Sequence, residues 1–134
     1  MSTKIFVNLP VKDLQKSIEF FTQVGYTFNK QFTDENATSM VISEDIYAML
    51  LTEQYFRTFT DREIVDATKS AEVLIALSAD SREAVDELVN KALAAGGTET
   101  REPQDHGFMY GRSYADLDGH VWEIMWMDPA AVEG

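Results

Sequence analysis

Two hydrophobic rhythms take turns along this chain. Lys4 to Leu9 is rich enough in apolar and β-branched residues to read as a strand, which Pro10 ends because it offers no amide hydrogen to a ladder. A helical period follows. Leu14, Ile18 and Phe21 fall on one face and Lys12, Gln15, Lys16, Glu19 and Gln23 on the other, with Asp13 placed to cap the first turn and Gly25 to close the last. Three more strands are predicted over 26–32, 38–43 and 46–52, separated by Thr33-Asp34-Glu35-Asn36 and Ser43-Glu44-Asp45. Glu53 to Phe59 suits a short helix, and Thr60 to Ser70 a polar connection.

The same order then returns. Glu72 to Ser78 reads as a strand, and Asp80 with Glu83 stands at capping-box spacing before a second helix. Val85, Leu88, Val89 and Ala92 form its apolar face, Arg82, Asp86, Asn90 and Lys91 lie opposite, and Gly96-Gly97 ends it. Strands are expected near 98–101, 108–114 and 120–126. Superposing Phe6 on Leu74 also puts Leu9 on Leu77, while superposing Asp45 on Gly119 puts Tyr47 to Leu51 on Val121 to Met125. The pattern therefore predicts an α+β fold of two tandem βαβββ modules. Module 1 spans 1–53, a connecting segment 54–70, module 2 71–128 and a tail 129–134, all within one domain over 1–134.

Composition narrows the function. With 134 residues, 45% of them hydrophobic, the chain can bury one core. It has no cysteine, which removes disulfides, thiolate metal sites and cysteine nucleophiles. His106 and His120 are the only histidines, so any metal site would lean on carboxylates, amides or water. A net charge of −12 repels phosphate backbones and anionic lipid, and neither nucleic acid nor membrane is expected as a partner. Neither a signal-peptide core nor a membrane span is visible, and the expected location is cytoplasmic. No phosphate-binding glycine loop, nucleotide fingerprint or nucleophile with an adjacent base appears.

The segments Asn8-Leu9-Pro10-Val11-Lys12-Asp13-Leu14 and Asp116-Leu117-Asp118-Gly119-His120-Val121-Trp122-Glu123, with Ser17 and Phe20-Phe21 of the first helix, resemble the glyoxalase, bleomycin-resistance and extradiol-dioxygenase superfamily, also called vicinal oxygen chelate proteins. The likeness covers nearly the whole chain. It implies a mixed sheet curled around a pocket, a homodimer with a small-molecule ligand and, if the protein is an enzyme, a lactoylglutathione lyase-like, thiol transferase-like or dioxygenase-like activity. Metal-dependent members place one ligand on the first and one on the last strand of each module. Residue by residue, those places fall on Phe6, Met49, Leu74 and Glu123, of which only Glu123 suits a hard or borderline divalent ion. A slip of two residues keeps the same face and admits Asn8 or Ala76, and Tyr47 or Leu51, which adds one oxygen donor, Asn8. The resemblance thus implies a degenerate metal site that binds a small, mostly apolar molecule. Asn8 and Glu123 completed by water would make only a weak site for a divalent metal, and the alternative is a metal-dependent lyase, thiol transferase or dioxygenase whose ligands lie at other positions.

Glu123 alternates with Trp122 and Ile124 in an apolar strand, where burial penalises an acid that lacks a partner. Either it contacts a ligand at the pocket floor as a catalytic proton-transfer group, or it is tied to Arg112 or a backbone amide. Tyr110, Arg112 and Tyr114 share one strand face, as a polar lining for an anionic or aromatic ligand or as a solvent-facing edge. Met49, Met109, Met125 and Met127 serve as an adaptable apolar wall or as core filling. The ligand-binding candidates are accordingly Phe6, Asn8, Met49, Leu74, Tyr110, Arg112 and Met125, around a catalytic Glu123. His106 is an exposed loop residue or reaches over the pocket mouth, and His120 supports the turn. Tyr55, Phe56 and Phe59 close the pocket as a lid or bury against a second subunit. Trp122 and Trp126, with Ile124, pack against a helix.

Overall fold

A computed structural model describes residues 2–131 and divides the chain between Val65 and Asp66 into two compact units. The division falls inside the stretch read as a connection. Of the tail, Pro129–Ala131 forms a 3₁₀ turn, and 132–134 lie outside the described residues.

The first unit runs β1 (Ile5–Val11), α1 (Leu14–Val24), β2 (Thr27–Asn29), β3 (Ala37–Val41), β4 (Ile46–Thr52) and the short helix α2 (Glu53–Phe56). Its sheet order is β1-β4-β3-β2, with β1 parallel to β4 and the other pairs antiparallel. Asp13 caps α1 as expected, its carboxylate accepting from the Lys16 amide at 3.0 Å. Gly25 closes the helix at φ +123°, a conformation that side chains resist. The buried stripe is Leu14, Ser17, Phe20, Phe21 and Val24. Ile18, assigned to that stripe from sequence, is only half-buried, because a 3.6-residue period from Leu14 passes through 17, 21 and 24. α1 packs against β4, and Leu9, Val11, Met40, Ala48 and Leu50 are buried with its stripe. Each fully covered Phe contributes about 1.5–3 kcal/mol. β2 is shorter than the predicted 26–32: the Asn29 side chain accepts from the Gln31 amide at 3.0 Å and turns Lys30–Phe32 into a 3₁₀ segment.

The second unit repeats the plan with β5 (Ile75–Ser78), α3 (Arg82–Ala94), β6 (Thr98–Glu99), β7 (Gln104–Asp105), β8 (Met109–Ala115) and β9 (Val121–Met127). Its order is β5-β9-β8-β6, β5 is parallel to β9, and β7 pairs with β8. The fold is α+β with two mixed sheets of four and five strands. Registers repeat as well as order: Asn8 faces Met49 in the first unit, and Ala76 faces Glu123 in the second, as the superposition of the two halves requires. The second unit differs from the sequence reading in several places: β5 starts at Ile75, not Glu72, and β6 ends at Glu99, not Arg101. The cap of α3 is Ser81, not Asp80, and its hydroxyl accepts from the Ala84 amide at 3.0 Å. β7 lies where a loop was expected, in a two-residue strand that only its pairing with β8 defines.

α3 packs against β8 and β9, and Val85, Val89 and Ala92 are buried with Tyr114, Trp122 and Ile124. The Asp-x-Asp-Gly turn fixes where β9 starts. Buried Asp116 accepts from the Asp118 and His120 amides and from the Trp122 indole N–H, each at 3.0 Å. His120 thus contributes to the turn through its backbone.

Candidate functional site

Strand alternation sorts the second sheet into two faces. On β9, Trp122 and Ile124 are buried towards α3, so Glu123 and Met125 point the other way. The register extends that outer face across the sheet: Glu123 lies between Ala76 and Ser113, and Met125 between Ser78 and Gly111, with Gln104 beyond. A cavity of about 70 Å³ opens there, lined by Glu123, Met125, Gly111, Ser113 and Met109 of the sheet and by Gln104 and Arg101 from the segment leading to β8. Gly111 keeps the floor bare. A Cβ built on it would meet only the Ile124 carbonyl at 3.5 Å and Met125 Cγ at 3.6 Å, ordinary contact distances.

Glu123 is half-buried, and among the described residues its carboxylate has neither a hydrogen bond nor an ion pair. The guanidinium of Arg101, exposed on the same cavity, also has none. The buried Ser113 hydroxyl shares a 2.5 Å hydrogen bond with Thr100, and the Gln104 amide donates to the Glu102 carbonyl at 2.9 Å. Ser113 and Gln104 thus have protein partners, while the two charges keep their full capacity for a ligand.

Tyr110 and Arg112 are placed across the sheet, with Trp126 and Ile124 as their register partners. The Tyr110 hydroxyl donates to Asp86 of α3 at 2.7 Å. Arg112 donates to Asp86 and Asn90 at 3.0 Å and to Glu99 at 3.1 Å. The tie between Glu123 and Arg112 entertained from sequence is absent, because their parities put them on opposite faces; Arg112 borders the cavity, but its guanidinium is engaged beneath α3. Nor is the polar side of α3 simply a solvated face. Arg82 pairs with Asp105 at 2.9 Å and lies 5.2 Å from the ring centroids of both Tyr110 and Trp126. Hydrogen bonding from Arg82 holds the Asp105 carboxyl down at about 2. Tyr110 first, then Arg112, lowers the Asp86 carboxyl, and Asp86 in turn raises the Tyr110 phenol.

In the first unit, Phe6, Asn8, Tyr47 and Met49 share the sheet face opposite the buried Leu9, Ala48 and Leu50. Phe6 is 54% exposed, and its ring stacks on Tyr47 at 5.1 Å. Leu74, 56% exposed, precedes β5. His106 is exposed between β7 and β8. Of the residues singled out from sequence, one cavity brings together Glu123, Met125 and Arg112 with the wall residue Met109; Phe6, Asn8 and Met49 belong to the first unit's sheet, and Tyr110, like the Arg112 guanidinium, carries contacts to α3. Arg101, Gln104, Gly111 and Ser113 were not anticipated. Gly111 alone left a signal, since a glycine inside a strand marks a place where something approaches the backbone.

The positions that the resemblance assigns to metal ligands, Phe6, Met49, Leu74 and Glu123, hold a phenyl ring, a thioether, an alkyl chain and one carboxylate, and among the described residues no three His, Cys, Asp or Glu side chains cluster. That donor set does not fit a divalent cation, which needs several oxygen or imidazole ligands.

These features find their counterpart in a known group. The family pattern of the Glyoxalase/Bleomycin resistance protein/Dioxygenase superfamily matches residues 5–124, and the chain belongs to that superfamily. Among solved structures, a hypothetical protein from S. aureus is 30% identical, with 94% of each chain covered and a TM-score of 0.79. A glyoxalase/bleomycin resistance protein/dioxygenase family enzyme from Burkholderia phytofirmans PsJN shares the fold at 20% identity, with 94% of this chain and 99% of that one covered and a TM-score of 0.79. So does the genomically encoded fosfomycin resistance protein FosX from Listeria monocytogenes, at 19% identity, 94% and 93% coverage and a TM-score of 0.66. No curated protein matches the chain.

Proposed function

We propose that this protein binds a small molecule, mostly apolar in body, on the Glu123 face of its second sheet, without a tightly held metal ion. One observation carries the reading: a half-buried carboxylate with no partner among the described residues opens onto a cavity lined by two methionines and a bare glycine. A protein gains nothing by keeping such a charge half out of water, so its retention fits contact with a ligand. Methionine thioethers supply adaptable apolar walls for the ligand's body. Where a reaction follows binding, Glu123 is the group placed to move a proton.

A thermal-shift screen of small aromatic and amphiphilic compounds tests this, because a ligand at a hundred times its Kd stabilises by about 2.7 kcal/mol. Compounds that raise the melting temperature of the wild type are expected to lose that effect in Glu123→Gln and in Gly111→Val, whose methyls would fill the cavity floor. Equal shifts in all three proteins would refute the site. Stoichiometric nickel, zinc, manganese or iron that is lost in Glu123→Gln would favour the metal-dependent alternative.

The assembly we infer is a homodimer. It is supported by the superfamily resemblance and by exposed apolar side chains: Ile5 and Phe6 on the edge strand β1, Val73 and Leu74 before β5, and Tyr55 and Phe59 around α2. Sedimentation equilibrium giving a monomer at every concentration would rule this out.

A further inference from the structure

Arg101 and Glu123 border one cavity with opposite charges, and no ion pair joins them or engages either one among the described residues. Resting on the binding reading above, we infer that the ligand is a small zwitterion, its ammonium on Glu123 and its carboxylate on Arg101. Arg57, Arg82 and Arg112 each reach a carboxylate. Among the described residues Arg62 and Arg101 do not, and of these two only Arg101 borders the cavity, where its planar fork is the side chain best matched to a carboxylate.

Other ligand classes leave a charge unanswered. An anion alone would be drawn to Arg101 and repelled by Glu123, and an amine alone the reverse. A neutral molecule would remove water from both charges and return no hydrogen bond to either. A molecule carrying both ends answers both, while Met109 and Met125 cover a short apolar stretch that branches from the carbon bearing them. Size limits that stretch. A cavity of about 70 Å³ is far below the roughly 300–1,000 Å³ of drug-sized sites, so it takes a compact amino acid-like molecule or the head of a longer one.

Titration of the ¹⁵N-labelled full chain with L-norvaline, pentanoate, butylamine and 1-pentanol, followed at the Gly111 and Met125 amides, separates these possibilities. Norvaline should bind at least about tenfold tighter than any of the other three, the scale of one charge-assisted hydrogen bond. Arg101→Met should bring norvaline down to the level of butylamine, and Glu123→Gln to the level of pentanoate. Pentanol binding as well as norvaline would leave the binding site standing and overturn the zwitterion. Unchanged norvaline affinity in both variants would also overturn it. If none of the four compounds moves those amides, the binding site itself is wrong.

Discussion

Replacing Gly119 by alanine tests how the family's Asp-x-Asp-Gly turn sets the position of β9 and hence of Glu123. Gly119 sits at φ +91°, a conformation that costs an L side chain about 1–2 kcal/mol. A Cβ there would also come within 2.7 Å of the Thr68 nitrogen, 2.8 Å of the Ala67 carbonyl carbon and 2.9 Å of its oxygen. Those are backbone atoms, so no rotamer change relieves the overlap, and forcing extra volume into a packed site adds about 1–3 kcal/mol. Gly119→Ala should therefore lose about 2–5 kcal/mol. Gly107→Ala is the matched control in the same unit: its φ is +80°, but nothing lies within 4 Å of the added Cβ, so only the conformational cost of about 1–2 kcal/mol applies. Both tryptophans, Trp122 and Trp126, belong to the second unit, so urea denaturation followed by intrinsic fluorescence reports on the relevant part of the chain. Equal losses for the two variants would show that the 66–70 segment does not press on the turn, and the steric argument would fail.

Other substitutions probe each face of the second sheet. Glu123→Gln removes an unpartnered half-buried charge and should raise stability by about 1 kcal/mol without ligand; a loss of that size in urea denaturation would mean the carboxylate has a protein partner. Arg112→Met leaves Asp86 and Glu99 without their guanidinium, but both still reach water, so the same assay should show a loss of about 1–2 kcal/mol, below that of a fully buried pair. For Asp105 the folded carboxyl titrates below its unfolded value of 3.8, so its pairing with Arg82 stabilises the protein above pH ~4 and fades as pH falls towards about 2. The stability gap between wild type and Arg82→Met should accordingly be constant near neutrality and close across that acidic window; a gap that persists at pH ~2 would mean Arg82 acts only through its stacking on Tyr110 and Trp126.

Local chemistry made much of the fold legible. The Leu14–Val24 period, the Asp13 cap, the Gly25 stop and the apolar runs of β4, β8 and β9 depend on neighbours a few residues away. The internal repeat went further: the superposition of the two halves equates Asn8 with Ala76 and Met49 with Glu123, and the two pairs occupy matching registers. What escaped was non-local. β7 is two residues long and exists only through its pairing with β8. The choice between Asp80 and Ser81 as cap turned on a single residue of phase that both side chains could satisfy. Parity put Tyr110, Arg112 and Tyr114 on one face, yet which face looks at α3 follows from the pairing of Ser113 with Glu123, and no single strand encodes that. Arg101 has no periodicity at all: it is a connecting residue brought to the Glu123 face by the strands on either side of it.

The most direct test is a crystal structure of the protein soaked with the compound that stabilises it most in the thermal-shift screen. The account predicts ligand density against the Glu123 carboxylate, between Met109 and Met125 and over Gly111, with no metal ion on Glu123. Density lodged instead beside Tyr110 and Arg112 under α3, or a cation coordinated by Glu123, would contradict it.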